Sequence, residues 1–433
     1  MNAGEATAIM FSVFAALLLL KVPVSFALGL ACLPVLIVDE RLTPFLLINE
    51  MWKSYNAFIL LAVPFFLLAA NLMNAAGITE RLVNLAHASV GHLPGGLGHI
   101  NVMVSMLFAG ISGSSTADAA GIGSLLIPAM KKQGYDTSFT VAITACSSVM
   151  GVIIPPSIMM IVWGGLMSVS IGGLFLAGMV PGILIALFMM GTVLVYAKTR
   201  NYPIYKRASL MEFFQALRKS ILALVTPTII VGGIIGGLFT PTEASVIAVL
   251  YSAFLGGLIY RAISPKQFPR VLYDSARLSA ISLFCIGTAS AFGWLLAYYR
   301  VPQSLVDMVA AYGTGIITTG FIIALSFLVI GMFIDAIPAI IILGTILLPL
   351  AEKAGMHPIH FAIVGVISLA FGLVTPPYGL CLLISCSVGE ITVSKVLKDV
   401  AILLLPLLLL LGLIIVFPEI VLFLPSWLAP EFL

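Results

Sequence analysis

GISGSSTADAAG, residues 110–121, interrupts a long apolar segment and decides how this part of the chain folds. An apolar run over residues 102–108 precedes it, and the apolar run that follows ends at Lys131 and Lys132. Each flanking run is shorter than the roughly 20 residues that a membrane-spanning helix needs. The pattern therefore predicts a re-entrant hairpin whose tip lies at residues 112–118.

A second interruption follows at a pair of prolines. The apolar stretch 140–152 stops at the sequence IIPPS and resumes over residues 158–168. Paired prolines remove backbone donors and force the preceding residue out of the helical conformation. We expect a helix broken over residues 151–157, with protein or an enclosed cavity around its free backbone groups.

Both interruptions recur later in the chain. Adding 221 to a residue number superimposes two long segments without a gap, so that Gly110 falls on Gly331 and the two proline pairs coincide. The second copy predicts a hairpin with its tip at residues 332–341 and a helix broken over residues 372–378. A shared skeleton of Gly and Pro, rather than of Leu and Ile, indicates an internal repeat.

The composition places most of the chain in lipid. The 433 residues are 61% hydrophobic and 9% charged, which leaves too little polar surface for a soluble globule. The apolar runs amount to about ten membrane-embedded segments. The five cysteines lack metal-site spacing, and no compact basic patch with interleaved aromatic residues indicates nucleic-acid binding. Because the amino end lacks the basic region of a cleavable signal, we expect the first helix to be retained.

The distribution of basic residues orients the chain. If the first hairpin enters from the cytoplasm, 16 of the 20 Lys and Arg residues lie inside. The four left outside are Arg41, Lys53, Arg300 and Lys353. The tracing puts the N-terminus outside and gives the two halves opposite topologies, which is typical of secondary transporters. We predict an all-α polytopic membrane protein of two inverted-topology repeats, each with one re-entrant hairpin and one broken helix.

Two amphipathic segments are expected to lie along the membrane surface instead of crossing it. Residues 42–55, with Glu50 and Lys53, would lie outside, and residues 264–277 would lie inside. Their equivalent positions in the two repeats predict a pair of arms that brace a scaffold.

The interruptions suit an anion and a cation bound side by side. Half-helix N-termini that point to the middle of the bilayer supply unpaired N–H groups and partial positive charge for a carboxylate. The unwound stretches offer carbonyls and the hydroxyls of Ser157 and Thr375, the hard oxygen ligands that sodium takes in such sites. The sequence therefore predicts transport of a small organic anion beside a coupling ion.

Acidic residues inside these segments require a structural or functional explanation, since inserting an ionised side chain at the bilayer centre costs about 2.5–3.5 kcal/mol of free energy. Asp335, the equivalent of Ser114, either ligates a cation or caps a helix. Asp118 either serves the coupling ion or caps a helix that starts at Ala119. Glu243, in the sequence TPTE, fits a plain helix start with an early Pro and an acid in the first turn.

Arg300 ends an apolar run beside Tyr298 and Tyr299. At the outer surface it either attracts an anion or a partner, or anchors the chain at the membrane interface. We keep it as a candidate substrate-binding residue.

Five long motifs together resemble one known family. In chain order they are GISGSSTADAAGIGSLLIPAMKKQGYD, GVIIPPS, GLFTPTEASVIAV, GMFIDAIPAIIILGTILLPL and GLVTPPYG. They are similar to the DctM-type large membrane subunit of tripartite ATP-independent periplasmic (TRAP) transporters, and the likeness covers essentially the whole chain. It implies an elevator-type secondary transporter of the bacterial inner membrane, driven by sodium. Its partners would be a small Q-type membrane subunit, expected as a separate polypeptide, and a P-type periplasmic substrate-binding protein.

The resemblance also implies a scaffold and a transport domain. The scaffold would comprise residues 1–57 and 198–277, each part with an arm. The transport domain would comprise residues 58–197 and 278–433, each part with a hairpin and a broken helix. The family handles dicarboxylates, sialic acid and other organic acids, and the sequence looks closest to its sialic-acid members. The implied substrate is sialic acid or a dicarboxylate-like acid.

The binding residues that the resemblance implies lie at the interruptions. Transported sodium, with no organic cofactor, would be held by Ser112, Gly113, Ser114, Gly151, Pro155, Gly331, Asp335, Thr375 and Pro376. The substrate would lie between these sites, against Ser115, Thr116 and Ser157. Asp118 and Glu243 remain structural or coupling residues.

Two other functions stay open. Gly110 to Gly113 fits the GxSG pattern of intramembrane serine proteases, but all five histidines lie near segment ends, which leaves Ser112 without a base. A proton-coupled carboxylate carrier that uses Asp118 and Asp335 as relays is the closer rival.

Overall fold

Helices form all the regular structure in the part of the chain that the structure describes. The computed structural model describes residues 2–200, 202–310 and 315–433. Seven helices in these residues are long and apolar enough to cross a membrane, and shorter apolar helices lie between them. The prediction of an all-α polytopic membrane protein is confirmed.

Twenty-one α-helices follow one another along the described residues. The first repeat contains α1 (Ala3–Leu19), α2 (Val24–Val38), α3 (Phe45–Tyr55), α4 (Ala62–Ala75), α5 (Ile78–Val90), α6 (Gly96–Ser112), α7 (Ser115–Lys132), α8 (Thr137–Ser148), α9 (Ile158–Met167) and α10 (Ile171–Arg200). The second contains α11 (Leu210–Ile235), α12 (Pro241–Phe254), α13 (Phe268–Tyr298), α14 (Val301–Ala310), α15 (Ile316–Gly331), α16 (Ala336–Ala339), α17 (Thr345–Lys353), α18 (Pro358–Gly372), α19 (Leu380–Gly389), α20 (Val393–Val416) and α21 (Glu419–Leu428). Short 3₁₀ turns cover Phe58–Leu61, Val149–Val152 and Pro430–Phe432, and π-helical turns cover Leu255–Ile259 and Ile340–Gly344.

The two predicted hairpins are present at equivalent positions. Hairpin 1 consists of α6 and α7 and turns at Gly113 and Ser114. Hairpin 2 consists of α15 and the stretch from α16 through a π-helical turn to α17, and it turns over residues 332–335. Its returning arm, Ala336–Lys353, is offset by 221 from α7 at both ends. The repeat read from the sequence is therefore a repeat of structure.

Both predicted broken helices are present as well. The 3₁₀ turn after α8 ends at Val152, and α9 begins only at Ile158. In the second repeat α18 ends at Gly372, and α19 begins at Leu380. Each gap contains its proline pair, joined by a cis peptide bond.

The two predicted arms differ in structure, because the second is continuous with the helix that follows it. α3 is a separate helix, because the chain leaves the helical conformation at Ala57, where φ is −71° and ψ is 107°. The equivalent residue, Leu278, lies inside α13, which runs without a break for 31 residues. Arg277 and Leu278 are good helix formers, whereas the equivalent of Arg277 in the first repeat is Asn56, a poor one.

Helix packing interlocks the repeats. α4 packs against α12, its counterpart α13 packs against α2, and α4 and α13 pack against each other. α7 of the first repeat packs against α19 of the second, and α8 packs against α20. This exchange brings both hairpin tips to the same region of the protein.

Charged residues that the sequence places inside the cell meet at one end of the molecule. Arg200 Nη2 lies 2.7 Å from Asp399 Oδ1, and its Nη1 lies 2.7 Å from Asp136 Oδ2. The Lys131 ammonium donates to the Gly389 carbonyl at 3.2 Å. A guanidinium shared by Asp136 and Asp399 joins the ends of three helices from both repeats.

Candidate functional site

The hairpin tips line one cavity of about 480 Å³. Residues 112–117 of hairpin 1 and residues 335–337 of hairpin 2 face it, together with residues of the first broken helix, α4 and α13. It reaches Asn74 near the end of α4 and Leu278 in the first half of α13. It therefore extends toward the end of the protein that the distribution of basic residues predicts to be cytoplasmic.

The turn of hairpin 1 depends on Gly113. Its φ of +64° lies in the left-handed region that favours glycine. A Cβ atom there would also come within 2.8 Å of the Pro156 carbonyl oxygen. The Gly113 carbonyl accepts the N–H of Ile158 at 3.2 Å, so the hairpin tip is tied to the start of α9. Ser114 then caps α7, since its hydroxyl accepts from the Ala117 N–H.

Asp118 does not cap a helix, and that reading of the sequence was wrong. α7 starts at Ser115, because Ser114 supplies the cap, and Asp118 lies fully buried in the first turn. The Ser112 hydroxyl donates to its Oδ1. Its Oδ2 has no hydrogen-bond partner among the described residues. A buried carboxylate oxygen without a partner requires a cation or a proton.

Hairpin 2 is also hydrogen-bonded to its broken helix, as hairpin 1 is, but it has no equivalent of the buried Asp118. The Met332 carbonyl accepts N–H groups from Tyr378 at 3.2 Å and from Gly379 at 3.4 Å. Asp335 Oδ1 accepts the Ala336 N–H at 2.8 Å, so this carboxylate caps α16 and also faces the cavity. Both readings of Asp335 are therefore compatible with its position.

A close backbone approach fixes the second gap. A Cβ atom on Gly331 would lie 3.2 Å from the Gly372 Cα. The Thr375 hydroxyl donates to the Phe371 carbonyl at 2.7 Å. Pro155 and Pro376 are not among the cavity-lining residues, and each lies in the gap of its broken helix.

The residues predicted to bind substrate fall in different places. Ser115 and Thr116 line the cavity. Ser157 does not: its hydroxyl donates to the Val152 carbonyl at 2.6 Å and accepts the Met160 N–H at 3.2 Å as the cap of α9.

Arg300 and Glu243 lie outside the cavity lining. Arg300 follows α13 in a left-handed conformation, φ +56°, and is exposed. Glu243 completes a capping box with Thr240 at the start of α12, as its plain reading predicted. The Thr240 main-chain N–H donates to Glu243 Oε2 at 2.8 Å, and the Glu243 side chain is exposed at the helix end.

The sequence reading missed the polar residues of the opposite wall. Asn71 and Asn74 of α4 and Ser282 of α13 face the hairpin tips across the cavity. The only signal was a pair of asparagines three positions apart in an apolar run, which places both on one helix face.

The cavity lining is nearly free of charge. Within the described residues it includes Asp335 and no Lys, Arg or His. The described residues contain no group of three or more His, Cys, Asp and Glu side chains that could hold a metal ion. Main-chain carbonyls, hydroxyls and single carboxylates are the available ligands, which suits an alkali cation better than a transition metal.

Comparisons with known proteins point to the same family over most of the chain. The model of the family described as tripartite ATP-independent periplasmic transporter, DctM component, matches residues 11–420. The sialic acid TRAP transporter large permease protein SiaM of Vibrio cholerae is 38% identical over 410 residues, 95% of this chain and 96% of that protein. The C4-dicarboxylate TRAP transporter large permease protein DctM of Pseudomonas aeruginosa is 36% identical over 379 residues, 88% of this chain and 89% of that protein. The crystal structure of the YdaH transporter of Alcanivorax borkumensis shares the fold alone, with a TM-score of 0.60 at 15% identity over 95% of this chain and 99% of that chain.

Proposed function

Because the chain belongs to the DctM component family of tripartite ATP-independent periplasmic transporters, we propose that it takes up a small organic acid in symport with sodium. The chain is a multi-pass membrane permease and not an enzyme. Sodium as the coupling ion, the kind of acid and an elevator movement belong to the proposal.

The observation that carries this proposal is the meeting of both hairpin tips at one cavity. Next to it lies the unpaired Oδ2 of Asp118, with the Ser112 hydroxyl on the same carboxylate. A sodium ion there would satisfy that oxygen. A second ion near Asp335, Gly331 and Thr375 would offset Asp335, the acid that the described residues contribute to the cavity lining.

Sodium at these places explains coupling by electrostatics. Asp118 and Asp335 would repel an acidic substrate while their charges are uncompensated, and the repulsion is strong where water is scarce. Bound sodium turns that repulsion into attraction. Ser115 and Thr116 at the start of α7 would then receive the substrate carboxylate on hydroxyls and main-chain N–H groups.

Packing supports a fixed wall and a moving one. α4 and α13 pack on α12 and α2. This packing supports counting α4 and α13 with the scaffold, although the division expected from the sequence places α4 and the part of α13 after residue 277 in the transport domain with the hairpins and broken helices. In the elevator movement the hairpins would slide along α4 and α13 and carry the site toward the outer side.

Membership of the family supports the proposed partners and location. The permease would act in the bacterial inner membrane with its N-terminus in the periplasm. A small Q-type membrane subunit would accompany it, and a P-type binding protein would deliver the acid. Its relatives are named for sialic acid and for C4-dicarboxylates, and either class is a candidate substrate.

Uptake into proteoliposomes that contain the complete three-part system tests the coupling. We expect a sodium gradient to drive accumulation of the acid and a proton gradient of equal size to drive none. Accumulation under the proton gradient alone would support the proton-coupled carrier instead, in which a proton satisfies Asp118 Oδ2.

A further inference from the structure

The cavity has two chemically different walls. Hairpin 1 presents the hydroxyls of Ser115 and Thr116 beside the start of α7. The facing wall, made by α4 and α13, presents the amides of Asn71 and Asn74 and the hydroxyl of Ser282 among apolar residues. The second wall is therefore polar but uncharged.

Hydrogen bonds within the facing wall determine what it offers to a ligand. Asn71 Nδ2 donates to Ser275 Oγ at 2.8 Å, which leaves Asn71 Oδ1 as an acceptor. Thr79 Oγ1 donates to Asn74 Oδ1 at 3.1 Å, which leaves the Asn74 NH₂ group as a donor. Asn74 also lies beside hairpin 1, about 4 Å from where a Cβ of Gly121 would stand.

An acceptor and a donor on neighbouring turns suit a hydroxyl or an acylamino group, because both groups donate and accept. An ionised carboxylate only accepts, so it would meet the Asn71 oxygen as a repulsive neighbour. This wall consequently disfavours a second carboxylate.

The charge of the cavity leads to the same distinction. Within the described lining no cationic side chain compensates a ligand, and Asp335 adds a negative charge. Each further carboxylate must be compensated by another cation or remain in a cavity of low polarity at a large cost. A monocarboxylate therefore needs one compensating cation fewer in this cavity than a dicarboxylate does.

We propose that the Asn71, Asn74 and Ser282 wall selects a monocarboxylate that carries several hydroxyl or acylamino groups, in preference to a dicarboxylate. The carboxylate binds at hairpin 1, and the hydroxylated part binds the α4–α13 wall. The inference rests on the proposed function and assigns the substrate class of the same cavity.

Equilibrium binding to the purified chain in lipid nanodiscs tests the selection. The probes are radiolabelled gluconate, N-acetylneuraminate and succinate, each measured in sodium chloride and in choline chloride. We expect sodium-dependent binding, with gluconate or N-acetylneuraminate bound at least about tenfold more tightly than succinate, since a site built to bond hydroxyls rejects ligands that lack them. Sodium-dependent binding with succinate equal or tighter would overturn this inference and leave the proposed function standing. No sodium-dependent binding of any probe would contradict both.

Two substitutions test whether the Asn71, Asn74 and Ser282 wall causes the preference for the hydroxylated acid. Asn74→Leu and Ser282→Ala should each reduce the ratio of hydroxylated acid to succinate binding several-fold. Asn84→Leu is the matched control, because Asn84 is exposed on α5 and does not line the cavity. An unfolded variant would lose succinate binding too and be recognised by that loss. An unchanged ratio in both folded cavity variants would overturn the assignment.

Discussion

Gly151 leaves no room for a side chain against Asp118. A Cβ atom on Gly151 would overlap the unpaired Oδ2 of the carboxylate and would lie 3.0 Å from the Ser114 carbonyl carbon. The gap of the first broken helix and the tip of hairpin 1 therefore share one small space. Any ion that pairs with Asp118 must enter it.

Gly151→Ala should weaken sodium activation of transport. The added methyl group pushes Asp118 away from the gap, and we expect the sodium concentration for half-maximal uptake to rise at least about tenfold, a loss of about 1.4 kcal/mol. Uptake rates measured over a sodium series give this value. Gly191→Ala on α10 is the control, because a Cβ there meets no atom within 4 Å. Equal sodium dependence in both variants would argue against an ion beside Asp118.

The two acids should have separable effects. Asp335→Ala removes a ligand that faces the cavity and caps only four residues of α16, so we expect weaker sodium dependence in a folded protein. Asp118→Asn keeps the shape of the buried side chain but removes its charge, and we expect a larger loss of sodium activation. Sodium titrations of uptake, with size-exclusion profiles as the check on folding, measure both. Wild-type sodium activation in Asp335→Ala would reject its role at the second site.

Sequence patterns determined most of this fold because Gly and Pro act locally. Gly113 produces the turn of hairpin 1, and the two proline pairs produce the chain breaks, whatever the surrounding helices are. Both repeats could therefore be predicted from the sequence alone. Of the two readings of Asp118, the helix cap failed because Ser114 caps α7 instead, a competition between two acceptors that the sequence leaves open. Asn71 and Asn74 were missed because only tertiary packing decides which face of α4 meets the hairpins.

The two repeats have different conformations in this structure. If each repeat adopts the conformation of the other, equivalent residues predict which side chains line the cavity of the outward-facing state. Ile281 lines the present cavity and is 55% exposed, whereas its equivalent in the first repeat, Leu60, is 2% exposed. Inverted repeats swap roles when the site changes sides. We therefore expect Leu60 to become accessible from the periplasm as Ile281 is covered.

Thiol labelling of Leu60→Cys and Ile281→Cys measures this exchange. The five native cysteines are buried, which keeps the background low. A membrane-impermeant reagent should label Ile281→Cys from the cytoplasmic side and Leu60→Cys from the periplasmic side. Any condition that increases the labelling rate of one of these cysteines should decrease the labelling rate of the other. Rates that rise and fall together would contradict an elevator movement.

Asn101→Ile should destabilise the protein without changing its fold. The Ser147 hydroxyl donates to Asn101 Oδ1 at 2.9 Å, and Asn101 Nδ2 donates to Thr144 Oγ1 at 2.8 Å, so the substitution removes two buried hydrogen bonds at a cost of about 1–3 kcal/mol. The second repeat tolerates Ile322 at this position. Thermal unfolding in detergent measures the loss. Ser326→Ala is the control, because that hydroxyl donates to the Ile322 carbonyl of its own helix. A smaller effect of Asn101→Ile than of the control would contradict the prediction.

The stability that Asp39 contributes should depend on pH in one direction. The Arg41 guanidinium and the Tyr299 hydroxyl, which donates to Asp39 Oδ2 at 2.6 Å, hold the pKa of Asp39 well below its usual range. A carboxyl whose pKa is lower in the folded state stabilises the fold above its unfolded pKa of about 3.9 and loses that effect as the pH falls through the folded pKa. Asp39→Asn should therefore lower the thermal midpoint at neutral pH, and the difference from wild type should narrow only below about pH 4. Asp274→Asn, at an exposed residue of α13, is the matched control for removal of a carboxylate. An Asp39→Asn deficit that widens in acid would contradict the assigned role.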